Sequence, residues 1–289
     1  MHWVEAFIVD RLADQSFNRI SPDSPDSGEP AFAEPLVGFA CGDDPLWDFL
    51  KRDIGAFLWT PAEAYALAFP QAPAEPEELT VIAWVLPQTA ATRADHRKAV
   101  GMPSLRWSKV RLHGEMINER LRAEAVRELV SRRHPACAPT LLPQWSREVS
   151  DKYGFASRWS ERHAAHVAGL GTFGLSDGLI TPRGKAVRVG SVVARIDIPA
   201  TARPYTRHNE WCLQAATGKC GVCMWRCPAG AISHAGHDKV ACQAYIRGTT
   251  APFVEREQLG DRVNSCGLCQ AGVPCEAGIP KAALRRKPA

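Results

Sequence analysis

The sequence predicts an α+β fold followed by a cysteine-rich module, and three observations carry that prediction. Residues 79–87, LTVIAWVLP, form a continuously apolar run rich in β-branched side chains. Residues 107–133 repeat apolar side chains at helical spacing, and eight of the ten cysteines crowd between positions 212 and 275. The first run reads as a buried strand and the second as an amphipathic helix, so their alternation implies helices layered on a sheet.

Taken in chain order, residues 1–75 are mixed, and the Pro/Ser/Asp-rich SPDSPDSGEP reads as a surface loop. In WTPAEAYALAFP, Thr60 is placed to cap a helix, Pro61 occupies its first position and Glu63 can reach back to the cap. The prolines of PQAPAEPEE mark a linker, after which Leu79 opens the strand that Pro87 stops. In the long helix, Leu112, Met116, Leu121, Ala125, Leu129 and Val130 are expected on the packed face. Ser160 is the expected cap of a second helix, ERHAAHVA, and Gly169 its stop signal. After the glycine-rich GLGTFG, the stretch KAVRVGSVVARIDI alternates as a strand does. The expected division is a mixed region at 1–75, an α+β domain at 76–205 and a cysteine module at 206–289.

An apolar content of 45% suits a packed core, and a net charge of +4 is too small to argue for nucleic acid. The N-terminus lacks a basic segment followed by an apolar one, and no later stretch approaches roughly eighteen uncharged apolar residues. A cytoplasmic protein that does not enter a membrane is therefore expected. In a reducing compartment, crowded cysteines are metal ligands far more often than disulfides.

Cys220, Cys223, Cys227 and Pro228 reproduce the C-x2-C-x3-C-P part of the bacterial ferredoxin run, in which the cysteine before proline ligates the other cluster. Cys212 stands farther upstream than that pattern's first cysteine, so a loop must bring it back. The assignment is Cys212, Cys220, Cys223 and Cys275 around one [4Fe–4S] cluster, and Cys227, Cys242, Cys266 and Cys269 around the other. Exchange of a ligand between the motifs holds the two clusters close, which suits an electron relay. Two structural zinc sites or disulfides are the rival readings. The isolated Cys41 and Cys137 read as buried inert thiols.

The segment ERHAAHVAGLGTFGLSDGLITPRG, followed by CQAY around Cys242 and CGLCQ around Cys266, resembles the epoxyqueuosine reductase family, whose relatives include the catalytic region of reductive dehalogenases. The resemblance implies a nitroreductase-like α+β domain holding base-off cobalamin, followed by a ferredoxin-like module with two [4Fe–4S] clusters. Electrons would pass through the clusters to a corrin cobalt, with the cluster of Cys212, Cys220, Cys223 and Cys275 nearer to it.

The resemblance also implies a corrin site between residues 159–176 and the module. It would draw on Trp159, Glu161, Arg162, Gly169, Gly171, Thr172, Phe173, Gly174 and Ser176. Arg162 would face the corrin periphery, and the glycine turn would offer backbone to the flat macrocycle. Tyr153 is the candidate proton donor, a role that a tyrosine has in the dehalogenase relatives. His163 and His166 read as solvent-facing or pocket-lining, and His113 and Glu115 as lining the pocket or facing water. Trp159, Trp211 and Trp225 read as packing that keeps water off the clusters.

Two positions depart from the family pattern: Phe155 stands where a proton-donating Asp is usual, and Leu175 where a lysine is usual. A phenyl ring donates no proton, so poor turnover of epoxyqueuosine in tRNA is expected. The expected activity is a reductase acting on a small molecule or modified nucleoside, fed by a small electron donor such as a flavodoxin or ferredoxin. The alternatives are a corrin-free, ferredoxin-like electron-transfer or reductive-activation protein and, as a third reading, reductive dehalogenation.

Overall fold

The structure, a computed structural model, describes residues 1–21 and 28–284, so most of the loop expected at 21–30 lies outside the described residues. Helix α1 (Trp3–Ala13) turns Val4, Ile8 and Leu12 inward at i, i+4 spacing. Strand β1 (Leu36–Cys41) and helices α2 (Leu46–Ile54) and α3 (Pro61–Ala68) follow. α3 begins as expected: Thr60 Oγ1 accepts from the Glu63 amide and the Glu63 carboxylate accepts from the Thr60 amide. β2 (Leu79–Pro87) is buried at every position.

Next come α4 (Ala90–Lys98), the long α5 (Leu105–Ser131) and the short β3 (Ala136–Cys137). The hairpin of β4 (Arg147–Ser150) and β5 (Gly154–Ser157) leads into α6 (Glu161–Val167). A second hairpin, β6 (Thr172–Phe173) and β7 (Leu179–Ile180), leads into β8 (Val187–Arg195). The cysteine-rich part holds α7 (Leu213–Thr217), α8 (Val222–Trp225), the hairpin β9 (Ile232–Ser233) and β10 (Gly236–His237), and α9 (Lys239–Tyr245).

Four strands form one antiparallel sheet in the order β1-β2-β8-β3, with Val85 opposite Val189 and Trp84 opposite Gly190. β2 is apolar throughout because both faces of the sheet are covered. Ile82, Trp84 and Leu86 meet α1 and α5 on one side, while Val81, Ala83 and Val85 meet α2, α3 and α6 on the other. The sheet and the first core cluster run across the boundary expected at 75/76, since β1 and α1 supply an edge strand and a covering helix.

Two local expectations are corrected. The buried face of α5 carries Val110, Gly114, Ile117, Leu121, Ala125 and Leu129, whereas Met116 and Val130 are exposed and Leu112 half-buried. The packed stripe is rotated because Asn118 and Arg122, polar residues passed over in the pattern, point inward to partners on β8 and α6. Ser160 precedes α6 but makes no side-chain cap; its hydroxyl bonds His163 Nδ1 at 2.7 Å instead.

Candidate functional site

Helix α6 is fastened to the sheet at its first residue. Glu161 accepts from Arg122 Nε at 2.9 Å, from Thr140 Oγ1 at 3.2 Å and from the Ser191 hydroxyl. Burial raises its carboxyl pKa, against the pull of the Arg122 guanidinium. Trp159 is 2% exposed, donates from Nε1 to Ser191 Oγ at 3.0 Å and stacks on Trp47. Trp159 is therefore packed in the core, and the half-buried Glu161 ties α6 to the sheet.

The next residue faces the other way. Arg162 keeps its side chain accessible to solvent, yet the protein around it desolvates the guanidinium and lowers its pKa, as in a recessed cleft. Its guanidinium donates to the Asp177 carbonyl, and the thiol group that acts on it is Cys269. That thiol belongs to the set expected to lie farther from a corrin. Beside it, burial pushes the His163 pKa down to about 3, and its ring lies 4.8 Å from that of Phe173. Asp177 adopts a left-handed φ of 55° and its carboxylate pairs with His237 at 3.1 Å, tying this turn to the β9–β10 hairpin.

The glycine turn does not present a bare face. A Cβ on Gly171 would stand 2.6 Å from the Ile180 carbonyl and 2.8 Å from Leu179 Cγ, and one on Gly174 3.2 Å from Ile180 Cδ1. Gly169, with φ of 78°, faces the Ala202 carbonyl. The turn instead grips the segment leading into the module. Phe173 N donates to His208 O at 2.6 Å, Trp211 N donates to Thr172 Oγ1 at 3.0 Å, and Tyr205 Oη accepts from Gly171 N while donating to His166 O. His166 is buried, and its Nδ1 bonds Gly171 O at 2.7 Å. Gly171, Thr172 and Gly174 are thus buried structural contacts in this fold. Of the expected corrin contacts, Arg162 is exposed and Glu161 and Phe173 are half-buried.

The cysteines fall into two groups. Cys212, Cys220, Cys223 and Cys275 line one cavity together with Gly174, Leu175 and Val273. Burial pushes the Cys223 thiol up to about 11, and Cys269, Cys275 and Cys212 add to the rise, so Cys269 acts on this set as well. Cys227, Cys242, Cys266 and Cys269 are also neighbours, and Cys227 and Cys269 pack beside Cys223 and Cys275 as well. After burial, Cys269 and Cys227 raise Cys242 to about 11, and Cys269, Cys242 and Cys227 raise Cys266 to about 12. Among the described residues, no three His, Cys, Asp or Glu side chains converge tightly enough to hold a single metal ion. The thiols surround a space instead.

Tyr153 sits in the β4–β5 turn, and its hydroxyl donates to Asp53 Oδ2 at 2.6 Å, next to Lys152 on the same carboxylate. Burial and the Asp53 charge raise its pKa, so its proton is held. Phe155 is exposed on β5 and its carbonyl accepts from Lys239 Nζ at 3.0 Å. Trp211 is buried as expected, but Trp225 is 88% exposed and shields nothing. Cys41 is also exposed, at the edge of the sheet, whereas Cys137 is buried with its thiol pushed up to about 12. Glu115 is half-buried among Arg111, Arg122 and Arg188.

Sequence reasoning missed Lys185, which is 2% exposed and lines the cavity of the first cysteine group. Its signal was a charge placed directly before a buried strand. His96 was missed as well; it is fully buried and stacks on Trp107 at 4.1 Å against the backbone of Cys266 and Gly267.

No family model matches the chain. Part of it is similar to curated epoxyqueuosine reductases. It is 29% identical over 124 residues to that of Bacillus anthracis, covering 42% of this chain and 30% of the relative. It is 29% identical over 119 residues to that of Francisella cf. novicida, covering 39% and 31%. The match thus takes in under a third of the length of these relatives. Solved structures that match include an epoxyqueuosine reductase with an epoxyqueuosine-modified tRNA-Tyr stem loop, at 19% identity, 84% of this chain, 62% of that chain and a TM-score of 0.43. A catabolic reductive dehalogenase matches at 16% identity, 86% and 31% coverage and a TM-score of 0.48.

Proposed function

We propose that this chain, which resembles the epoxyqueuosine reductases as a divergent relative, is a reductase fed by single electrons through two [4Fe–4S] clusters held within residues 206–289. The observation that supports the reading is the crowding of eight buried or half-buried cysteines, four of which line one cavity. Cys275 joins Cys212, Cys220 and Cys223 across sequence order, and Cys227, Cys242, Cys266 and Cys269 are proposed to hold the second cluster. Crowded, buried thiols resist ionisation, and that resistance is removed when iron takes their protons' place. Bound there, the clusters would supply storage and transfer of single electrons. The chain's own contribution is to exclude water, with Leu175 and Val273 packed against the first set. Ser176 is buried, bonds Lys185 and reaches Cys269 of the second set.

Anaerobically prepared protein should contain about eight irons and eight sulfides per chain. About two zincs without sulfide would sink the reading. Cys227→Ser should damage the centre of Cys242, Cys266 and Cys269 and spare that of Cys220 and Cys223.

The substrate is proposed to be a small molecule or modified nucleoside, and the donor a small flavodoxin- or ferredoxin-like protein in a reducing, cytoplasmic setting. No helix among the described residues is long and apolar enough to cross a membrane. Epoxyqueuosine in tRNA should turn over poorly, because Phe155 offers no proton and Tyr153 is engaged by Asp53. Robust turnover on that tRNA overturns this part.

One observation favours a second reading, a corrin-free electron-transfer or reductive-activation protein: the space beside Gly171 is filled by Leu179 and Ile180. Corrin analysis of protein made anaerobically in cobalamin-supplied cells separates the two. Bound corrin supports the cobalamin-dependent reductase, with Arg162 at its edge, and clusters alone support the carrier.

A further inference from the structure

We propose that Lys185 is a fixed positive charge shared by the two cysteine groups and that it raises the reduction potential of the clusters they hold. The inference rests on the two-cluster reading above. Lys185 stands at the entrance to β8, where its amide donates to the Cys275 carbonyl at 2.8 Å. Its side chain is 2% exposed and lines the cavity enclosed by Cys212, Cys220, Cys223 and Cys275. The ammonium donates to Ser176 Oγ at 3.0 Å, and that hydroxyl lies near the Cys269 thiol, which belongs to the other group. One lysine therefore touches the first set directly and reaches the second through a single hydroxyl. The passage is fitted to it: a Cβ on Gly178 would stand 2.8 Å from Lys185 Cδ, so a larger residue there would push the stem aside.

A buried ammonium is costly unless an anion lies near it. Among the described residues, no carboxylate is paired with Lys185, and the hydroxyl that receives it is neutral. The negative charge that balances it is left to the thiolates on either side.

Reduction of a cluster brings in one electron from an external one-electron donor, with no bond made or broken and no proton required. It adds negative charge to a centre that four thiolates already make anionic. Coulomb attraction to a cation shielded from water grows with that charge and is little screened by salt. The reduced form is thereby favoured.

Lys185→Met and Lys185→Arg proteins, prepared anaerobically and assayed for iron and sulfide, are titrated with dithionite and followed by electron paramagnetic resonance. Lys185→Met should lower the midpoint potential of at least one cluster by about 59 mV or more, a tenfold shift in a one-electron equilibrium. Lys185→Arg should stay near the parent. Unchanged potentials in loaded Lys185→Met, or equal shifts in both variants, overturn the inference. Where Lys185→Met fails to load, Lys185→Gln carries the same comparison. Loss of clusters from both neutral variants with retention in Lys185→Arg upholds the role of charge, whereas loss from all three assigns Lys185 to packing. A parent protein that takes up no iron and sulfide sinks the two-cluster reading itself.

Discussion

Gly171 lies in a turn, yet its glycine is required by space, since its φ is not in the left-handed region. A methyl there would meet the Ile180 backbone carbonyl, which cannot swing aside as a side chain would. Gly171→Ala should cost about 1–3 kcal/mol, the range for overpacking, and lower the thermal midpoint. An unchanged midpoint would reopen the turn as a ligand surface. His96 gives a pH-dependent counterpart. Burial, then the Arg226 charge, pushes its pKa down to about 4, whereas an unfolded histidine titrates near 6.5. The unfolded chain therefore binds the extra proton first, so stability from this group is complete above pH 6.5 and lost as pH falls toward 4. Between pH 7 and 5 the loss should be about 2 kcal/mol. Chemical denaturation of the metal-free protein at the two values should show it, and His96→Asn should flatten the slope.

The strand Leu79–Pro87 and the start of α3 were legible in the sequence because each rests on local rules: a run too apolar to be exposed, and a Thr-Pro-x-Glu cap that closes on itself. The face of α5 was not. Its sequence carries two apolar stripes within one turn of each other, and the choice between them is made by polar contacts with residues far along the chain. Asn118 bridges Trp84 Nε1 at 2.8 Å and Val189 O at 3.0 Å, and Arg122 reaches Glu161. Trp84 is fully buried at this junction, against Gly190, whose missing side chain lets the indole approach β8. Trp84→Ala should lower stability by about 3–5 kcal/mol, and it also leaves the Asn118 carbonyl without its donor. A loss under about 1 kcal/mol in denaturant titration would mean that α5 closes over the gap.

Across the whole molecule, the cavity that Cys275 shares with Cys212, Cys220 and Cys223 was legible because cluster motifs impose fixed spacings. What the glycine turn does was not, since a turn read from sequence carries no information about the strand of chain that will cross it. In the fold that crossing segment is residues 205–212, and the turn holds it through Gly171, Thr172 and Phe173. Tyr205 is the pivot: 8% exposed, its ring stacked on His166 at 5.0 Å and edge-on to Trp211 at 5.0 Å, its hydroxyl bonded on both sides. Removing that hydroxyl leaves the Gly171 amide buried without its partner, while the His166 carbonyl keeps its bond from Gly169 N at 3.2 Å, a cost of about 1–3 kcal/mol. Tyr205→Phe keeps the ring packing, so the sheet core should stay protected while the clasp loosens. Amide hydrogen exchange should then speed up at residues 171–173 and 208–212 and stay slow in β2 and β8. Equal acceleration in β2 would show that the clasp and the sheet open as one unit, and no acceleration anywhere would show that the aromatic stack alone holds the cysteine module in place.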